Sequence, residues 1–323
     1  MAMDEFDLIR KYFAPLAGSP GSDGLRDDVA EIVPGLIATK DAIVESVHFL
    51  TDDPVATVAQ KLVRVNVSDI IAKGGKPDAA LLALVWPKGR DPAQLGDFSR
   101  ALGKDLDRWG ARLVGGDTTS TDGPLTLSLT LIGRVGARGP VRRSGAQVGD
   151  DVWVSGTIGD GWLGLMAAKG AFGALSAEAR NLMVSRYRVP EPPRLRFADL
   201  VAEVATGSID ISDGLVADAW HVAEASGVAL VIEAACVPLS AVGEGYLTNA
   251  KADLQALLTG GDDYQTLFTA PPSARSAIEA SKETVTRIGR VEVGAGVKVL
   301  DASGGEMAFE SAGWRHFSGP AQA

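Results

Sequence analysis

A helix-length stretch between strand-like runs most restricts the fold open to this chain. Pro54 opens it, Gly74-Gly75 ends it near Lys73, and strand-like segments flank it: "GLIATKDAIVESV" (residues 35–47) before and "DAALLALVWP" (78–87) after. Proline pre-sets a helix start and glycine marks its end, so the boundaries follow from backbone chemistry. The alternation continues. Residues 92–109 have a helical pattern, "ARLVGG" (111–116) reads as a strand ending in glycines, and "PLTLSLTLIGRV" (124–135) alternates polar and apolar residues as a half-buried strand does. Such alternation predicts a mixed α/β (α+β) fold. "GARGPVRRSGAQVGDD" (136–151) has no apolar period, so a domain boundary is expected near residue 140, dividing 1–140 from 141–323. The second half reads as a strand ("DVWVSGTI"), helical stretches, the turn "GSIDISDG", a helix ("LVADAWHVAEASG") and a strand ("VALVIEA").

Charge and cysteine content narrow the function. The formal charge is -10, with 41 acidic against 31 basic residues, which argues against nucleic acid or an anionic membrane as the main partner. Phosphate ligands remain open, because carboxylates reach phosphate through a divalent metal. The single cysteine, Cys236, precludes an intrachain disulfide and predicts a reducing, cytoplasmic setting; its apolar neighbours predict a core position. No run is long enough to span a bilayer, and the first residues lack the pattern of a signal peptide.

Aspartates recur beside turns: Asp27 and Asp28 in "LRDDVAE", Asp41 in "TKDAIVE", Asp69 in "NVSDIIAKGG", Asp117 in "VGGDTT", Asp210 and Asp213 in "SIDISDG", Asp262 and Asp263 in "TGGDDYQ". Any one of them alone reads as a cap or turn residue. Asp69 differs, because Leu62, Asn66, Asp69 and Lys73 share one helical face that begins apolar and ends polar. That face either delivers groups to a site or drifts to solvent. Asp210 and Ser212 share a strand face, and Asp213 is placed to cap the next helix. Two acids and a hydroxyl at a strand end suit a hard cation with oxygen ligands. Zinc is a poor match, since His48, His221 and His316 are far apart and there is no second cysteine. The P-loop pattern is absent. "GDGWLG" (159–164) has dinucleotide-binding spacing but lacks the second strand and acid that a Rossmann unit needs, so a tight turn with close packing is expected. Clustered carboxylates with scattered basic residues (Lys61, Arg142, Arg143) point to phosphate chemistry neutralised by metal ions.

Taken in order, "DD" (27–28), "VESVHF", "NVSDIIAKGGKP", "VGGDTT", "RRSGAQVGDDVWVSGTIGD", "DISDGLVAD" and "GGDDYQTLFT" resemble the thiamine-monophosphate kinases, within the superfamily of aminoimidazole ribonucleotide synthetase, nearly end to end. The resemblance implies a two-domain fold: an N-terminal sheet that pairs across a dimer to form a barrel, and a C-terminal α/β domain. It implies ATP-dependent phosphorylation of thiamine monophosphate to thiamine diphosphate by direct, in-line transfer with several Mg²⁺ ions. Position by position, it implies metal roles for Asp28, Thr39, Lys40 (through its carbonyl), Asp41, Asp69, Asp117, Asp210 and Asp213. Gly116, Asp117, Arg143 and Ser212 would lie on ATP; His48, Asp262 and Trp314 would face the thiamine phosphate. No general base is implied. The chain departs from the family pattern at Arg26, where glycine is usual, at Lys40 in place of threonine, and at Asp262, one methylene shorter than the usual glutamate. The alternatives are a sibling ATP-dependent synthetase and a non-catalytic nucleotide-binding sensor, with a dehydrogenase more distant. A selenophosphate synthetase would carry a reactive cysteine near the N-terminus, and here the sole cysteine is at 236.

Overall fold

The computed structural model describes residues 5–172, 176–248, 253–309 and 313. Eleven strands among them form two sheets. The first comprises β1 (Ala30–Val33), β2 (Leu36–Val44), β3 (Lys76–Pro87), β4 (Arg112–Thr121) and β5 (Thr126–Arg134), in the order β1-β2-β5-β3-β4. The second comprises β6 (Asp151–Ser155), β7 (Gly207–Ile211), β8 (Ala229–Glu233), β9 (Gln265–Ala270), β10 (Val285–Glu292) and β11 (Gly296–Leu300), in the order β11-β8-β10-β6-β9-β7. The helices are α1 (Glu5–Leu8), α2 (Val55–Ala72), α3 (Pro92–Arg108), α4 (Asp160–Ala168), α5 (Ala177–Arg188), α6 (Phe197–Val204), α7 (Leu215–Ser226), α8 (Ala241–Leu247), α9 (Leu254–Thr259) and α10 (Arg275–Ser281). No described helix is long and apolar enough to cross a membrane.

The first sheet is covered on one face only. Leu127, Leu129 and Leu131 of β5 are fully buried beneath α2, while Thr126, Ser128 and Thr130 between them are part-exposed. β3, expected as a buried strand, follows the same rule: Ala80 and Leu84 point inward and Leu81 is 39% exposed. Its near-continuous apolar run reads as two-sided burial, yet within one chain only one side is covered.

β4 departs further from expectation. The glycines of "LVGG" do not end it. The strand runs on through Asp117 to Thr121, parallel to β3, with Val114 as an extra residue where the register shifts between Ala80 and Leu81. Gly116 lies where a Cβ would sit 2.0 Å from the Leu82 carbonyl oxygen, so the ladder continues only because the side chain is absent.

α2 is the hub. It packs on β2 and β5 of the first sheet and on β7 and β9 of the second. Its polar side chains are therefore enclosed, and Lys61, Arg64, Asn66, Ser68 and Lys73 are all at most 1% exposed. The solvent-drift reading of its polar face is set aside. Arg64 joins the halves, with a two-pronged pair to Asp105 of α3 (both 2.9 Å), a 2.6 Å contact to Glu191 and a 2.9 Å bond to the Pro190 carbonyl.

Candidate metal and phosphate site

Three carboxylates from distant parts of the chain converge where α2 meets both sheets. Oxygens of Asp28, in the loop before β1, Asp69, near the end of α2, and Asp210, on β7, lie within 4.8 Å of one another. Each element puts its acid there for a local reason. Strand alternation sends Thr39 and Asp41 inward with Ile37 and Ile43, and leaves Lys40 on the opposite face, where its ammonium bonds Thr130 Oγ1 at 3.2 Å. Thr39 Oγ1 donates to Asp69 Oδ2, and the Asp41 carboxyl lies beside Asp69. Asn66, one turn before Asp69, accepts the Asp41 amide (3.2 Å) and donates to the Leu62 carbonyl (2.9 Å).

The electrostatics divide the cluster. Burial alone would push the Asp28 carboxyl up, yet Arg143 and Lys73 beside it hold it below the usual carboxylate value. Arg143 Nε donates to Asp28 Oδ1 at 2.8 Å, and Lys73 Nζ stands 2.6 Å from Asp28 Oδ2 and 2.8 Å from Asp27 Oδ1. For the other acids burial outweighs such help, and Arg143 only partly offsets it at Asp210. Burial, then the neighbouring Asp28, raise Asp210 to about 7; burial, opposed by a hydrogen bond from Asp69, raises Asp41 to about 6. Asp69 is raised well above its ordinary value by burial and by the charges of Asp210, Asp41 and Asp28. Acids that repel one another at the junction of two domains, all offering oxygen, fit a hard divalent cation.

The loop after β7 is shaped by a residue that sequence reasoning did not single out. Asp218 Oδ2 accepts the amides of Ser212 (3.0 Å) and Asp213 (3.1 Å). Gly214, not Asp213, caps α7, which frees the Asp213 side chain from that duty. The available signal was an acid in the first helical turn of "SDGLVAD".

The "GDGWLG" segment also resolves. Gly159 (φ 89°) caps α4, and the amides of Gly159 and Gly161 clasp the Asp263 carboxylate at 2.8 and 3.0 Å. The anion at this helix start is the protein's own. Both neighbours of β6 run antiparallel, so the parallel βαβ unit of a dinucleotide fold is not formed. Asp263 thereby fixes the segment carrying Asp262, whose carboxylate accepts from Lys61 Nζ and Tyr264 Oη, each at 3.0 Å. His48 lies close by; its Nδ1 accepts the Val44 amide (3.0 Å) and its carbonyl accepts Lys61 (3.0 Å).

Not every expected residue joins this constellation. Gly116 and Asp117 sit on the exposed edge strand β4; the ladder pairs Asp117 with Ala83, Ala83 with Ser128 and Ser128 with Ala42, so they stand three strands from β2, roughly 14 Å away at ordinary strand spacing. Trp314 lies outside the described residues. Cys236 is a correction: it is exposed in a 3₁₀ turn after β8, because the strand ends at Glu233.

Two sheets joined by a shared helix, with acids from both converging on it, define the class of AIR synthase related proteins. The family models for their N-terminal and C-terminal domains match residues 26–135 and 147–302. Thiamine-monophosphate kinase of Caulobacter vibrioides is 38% identical over 324 residues, covering 97% of this chain and 90% of that protein. The chain belongs to the thiamine-monophosphate kinase family. Among solved structures, AaThiL complexed with AMPPCP and TMP superposes with a TM-score of 0.85 at 33% identity, covering 98% of this chain and 97% of that one. Thiamine monophosphate kinase from Aquifex aeolicus gives 0.82 at 32%, covering 94% and 98%.

Proposed function

We propose that this chain transfers the terminal phosphoryl group of ATP to the phosphate of thiamine monophosphate, giving thiamine diphosphate and ADP in one in-line step. The observation that carries the reading is the convergence of Asp28, Asp69 and Asp210 at the domain junction, in a chain that matches AaThiL complexed with AMPPCP and TMP almost end to end.

Asp28, Asp41, Asp69 and Asp210, with Thr39, would hold magnesium ions, and the Lys40 carbonyl, Asp213 and, from three strands away on β4, Asp117 complete the proposed set. Bound there, the ions would neutralise the repulsion between two anionic substrates. The chain's own groups do the rest. Arg143, at the rim of the cluster on Asp28, is suited to the nucleotide phosphates as a planar, permanently charged donor. Ser212, held by Asp218, and Gly116 with Asp117 form the remaining nucleotide contacts of this reading. His48, Asp262 and Trp314 are assigned to the acceptor, where a carboxylate and an indole favour the cationic thiazolium ring. No general base is required, because a phosphate monoester has its second pKa near about 6 and attacks as the anion it already is.

A homodimer belongs to the same reading. The bare face of the first sheet, with exposed Leu81, and its open edge β4, with exposed Leu113 and Val114, are the surface assigned to a second copy. We place the domain division near residue 140, between the end of β5 and the start of β6, and the chain in the cytoplasm.

The test is to incubate the purified protein with Mg-ATP and thiamine monophosphate, with thiamine as a control acceptor, and to separate products by chromatography. Thiamine diphosphate from the monophosphate alone is the expected result. No product while ATP still binds would sink the reading in favour of a sibling synthetase or a sensor.

A further inference from the structure

Lys61 has no part in the scheme above, yet it is 1% exposed and charged. Its ammonium has three protons and three partners. It donates to the His48 carbonyl and to Asp262 Oδ2, each at 3.0 Å, and it lies 4.2 Å from the ring centroid of Tyr187. The other oxygen of Asp262 accepts from Tyr264 Oη at 3.0 Å. Asp262 and Tyr264 both have positive φ, 65° and 52°, a strained conformation for residues with a Cβ. The backbone there is anchored by Asp262 N to the Ser212 carbonyl (2.8 Å) and Tyr264 N to the Ile211 carbonyl (2.7 Å).

A buried ammonium is expensive to desolvate, so its partners must repay that cost. With a carbonyl, a carboxylate and an aromatic ring around it and its side chain 2% exposed, the Lys61 ammonium is turned to protein groups and acts through its neighbours. Those neighbours belong to different domains: His48 follows β2, and Asp262 precedes β9. The side chain of Asp262 is 26% exposed and that of Lys61 2%. The acid is thus part-exposed, and the buried lysine holds it from the protein side.

We infer that Lys61 is a positioning residue for the acceptor: one buried ammonium ties the His48 segment to Asp262 and sets the spacing between two substrate-facing groups. The inference rests on the proposed acceptor role of His48 and Asp262.

The experiment compares Lys61→Met, Asp262→Ala and the double variant, varying thiamine monophosphate and Mg-ATP separately in steady-state kinetics. Lys61→Met is expected to raise KM for thiamine monophosphate about tenfold, while KM for ATP stays within about twofold; loss of a charged hydrogen bond has that size. The double variant should lose clearly less than the sum of the two single losses, because without Asp262 only the hold on the His48 carbonyl remains for Lys61 to lose. Equal rises in both KM values, or additive losses in the double variant, would mark a merely structural lysine and overturn the inference. An unchanged acceptor KM in Asp262→Ala would instead remove the underlying acceptor assignment. If Lys61→Met does not fold, Lys61→Gln, which keeps a donor for one of the two oxygen acceptors, is judged by the same criteria.

Discussion

Asp69 is held among like charges, with Thr39 as its hydrogen-bond donor and Asp41, Asp28 and Asp210 around it. Asp69→Asn keeps the shape and removes one repelling charge. The metal-free variant should therefore melt at a higher temperature than the parent, while kcat falls on the order of 100-fold or more, as when one electrostatic element of a phosphoryl-transfer site is lost. Calorimetric melting and Mg²⁺ titration check both halves; a variant that binds Mg²⁺ and turns over normally would refute the metal role. The candidate role of Asp69 was legible from its place on a polar helical face, but its enclosure was not. Spacing says which residues share a face and nothing about what packs on that face. Lys73, Asp218 and Asp263 were missed as structural anchors, because each acts on a partner far away in the chain or on backbone amides; only Asp218, in the first turn of α7, carries a local signal.

At the scale of elements, the clasp between α4 and the segment before β9 links helix-start chemistry to the proposed acceptor side. Asp263→Asn preserves volume but turns an NH₂ toward one of the two glycine amides. A loss of about 1–3 kcal/mol is expected from the unsatisfied donor, read by urea unfolding. Gly161→Ala places a Cβ 2.3 Å from the Asp262 carbonyl oxygen, so that segment must shift, and the acceptor KM should rise more than the ATP KM. The long helices were legible to within a residue or two, with Pro54 capping α2 and Pro92 opening α3, whereas strand ends were read too long: residues 45–47 lie beyond β2 and residues 156–158 beyond β6. The continuation of β4 through two glycines was not, because glycine signals a turn locally and only the close approach of β3 keeps it extended.

For the whole molecule, the cluster ties stability to pH. Asp41 and Asp210 keep their protons to about 6 and about 7, against about 3.9 for an unfolded aspartate. Between those limits the folded state binds more protons, so their contribution is fully present below about pH 4 and is lost as pH rises through 6–7. The metal-free protein should melt lower at pH 8 than at pH 5, and Mg²⁺ should raise the melting temperature more at pH 8. Equal Mg²⁺ effects at both values would contradict a metal on these acids. Arg64 crosses the domain junction while Asp105, its partner, is 3% exposed, so Arg64→Met should cost about 3–5 kcal/mol by stranding a buried charge. Val114→Lys, on the bare sheet edge, should shift the protein to monomer in analytical ultracentrifugation if a second copy covers that face.

Periodicity, capping residues and the order of the acidic motifs by themselves determined the α/β class, the main elements and the family, because these are properties of neighbouring residues along the chain. Tertiary structure alone decided which acids meet. Asp28, Asp69 and Asp210 are separated by 41 and 141 residues, and they converge because α2 packs against both sheets. It also decided that Lys61 is a clamp and that the glycine-rich turn holds Asp263. An ammonium or an amide is satisfied by whichever acceptor the fold brings within 3 Å, and no local pattern encodes that partner.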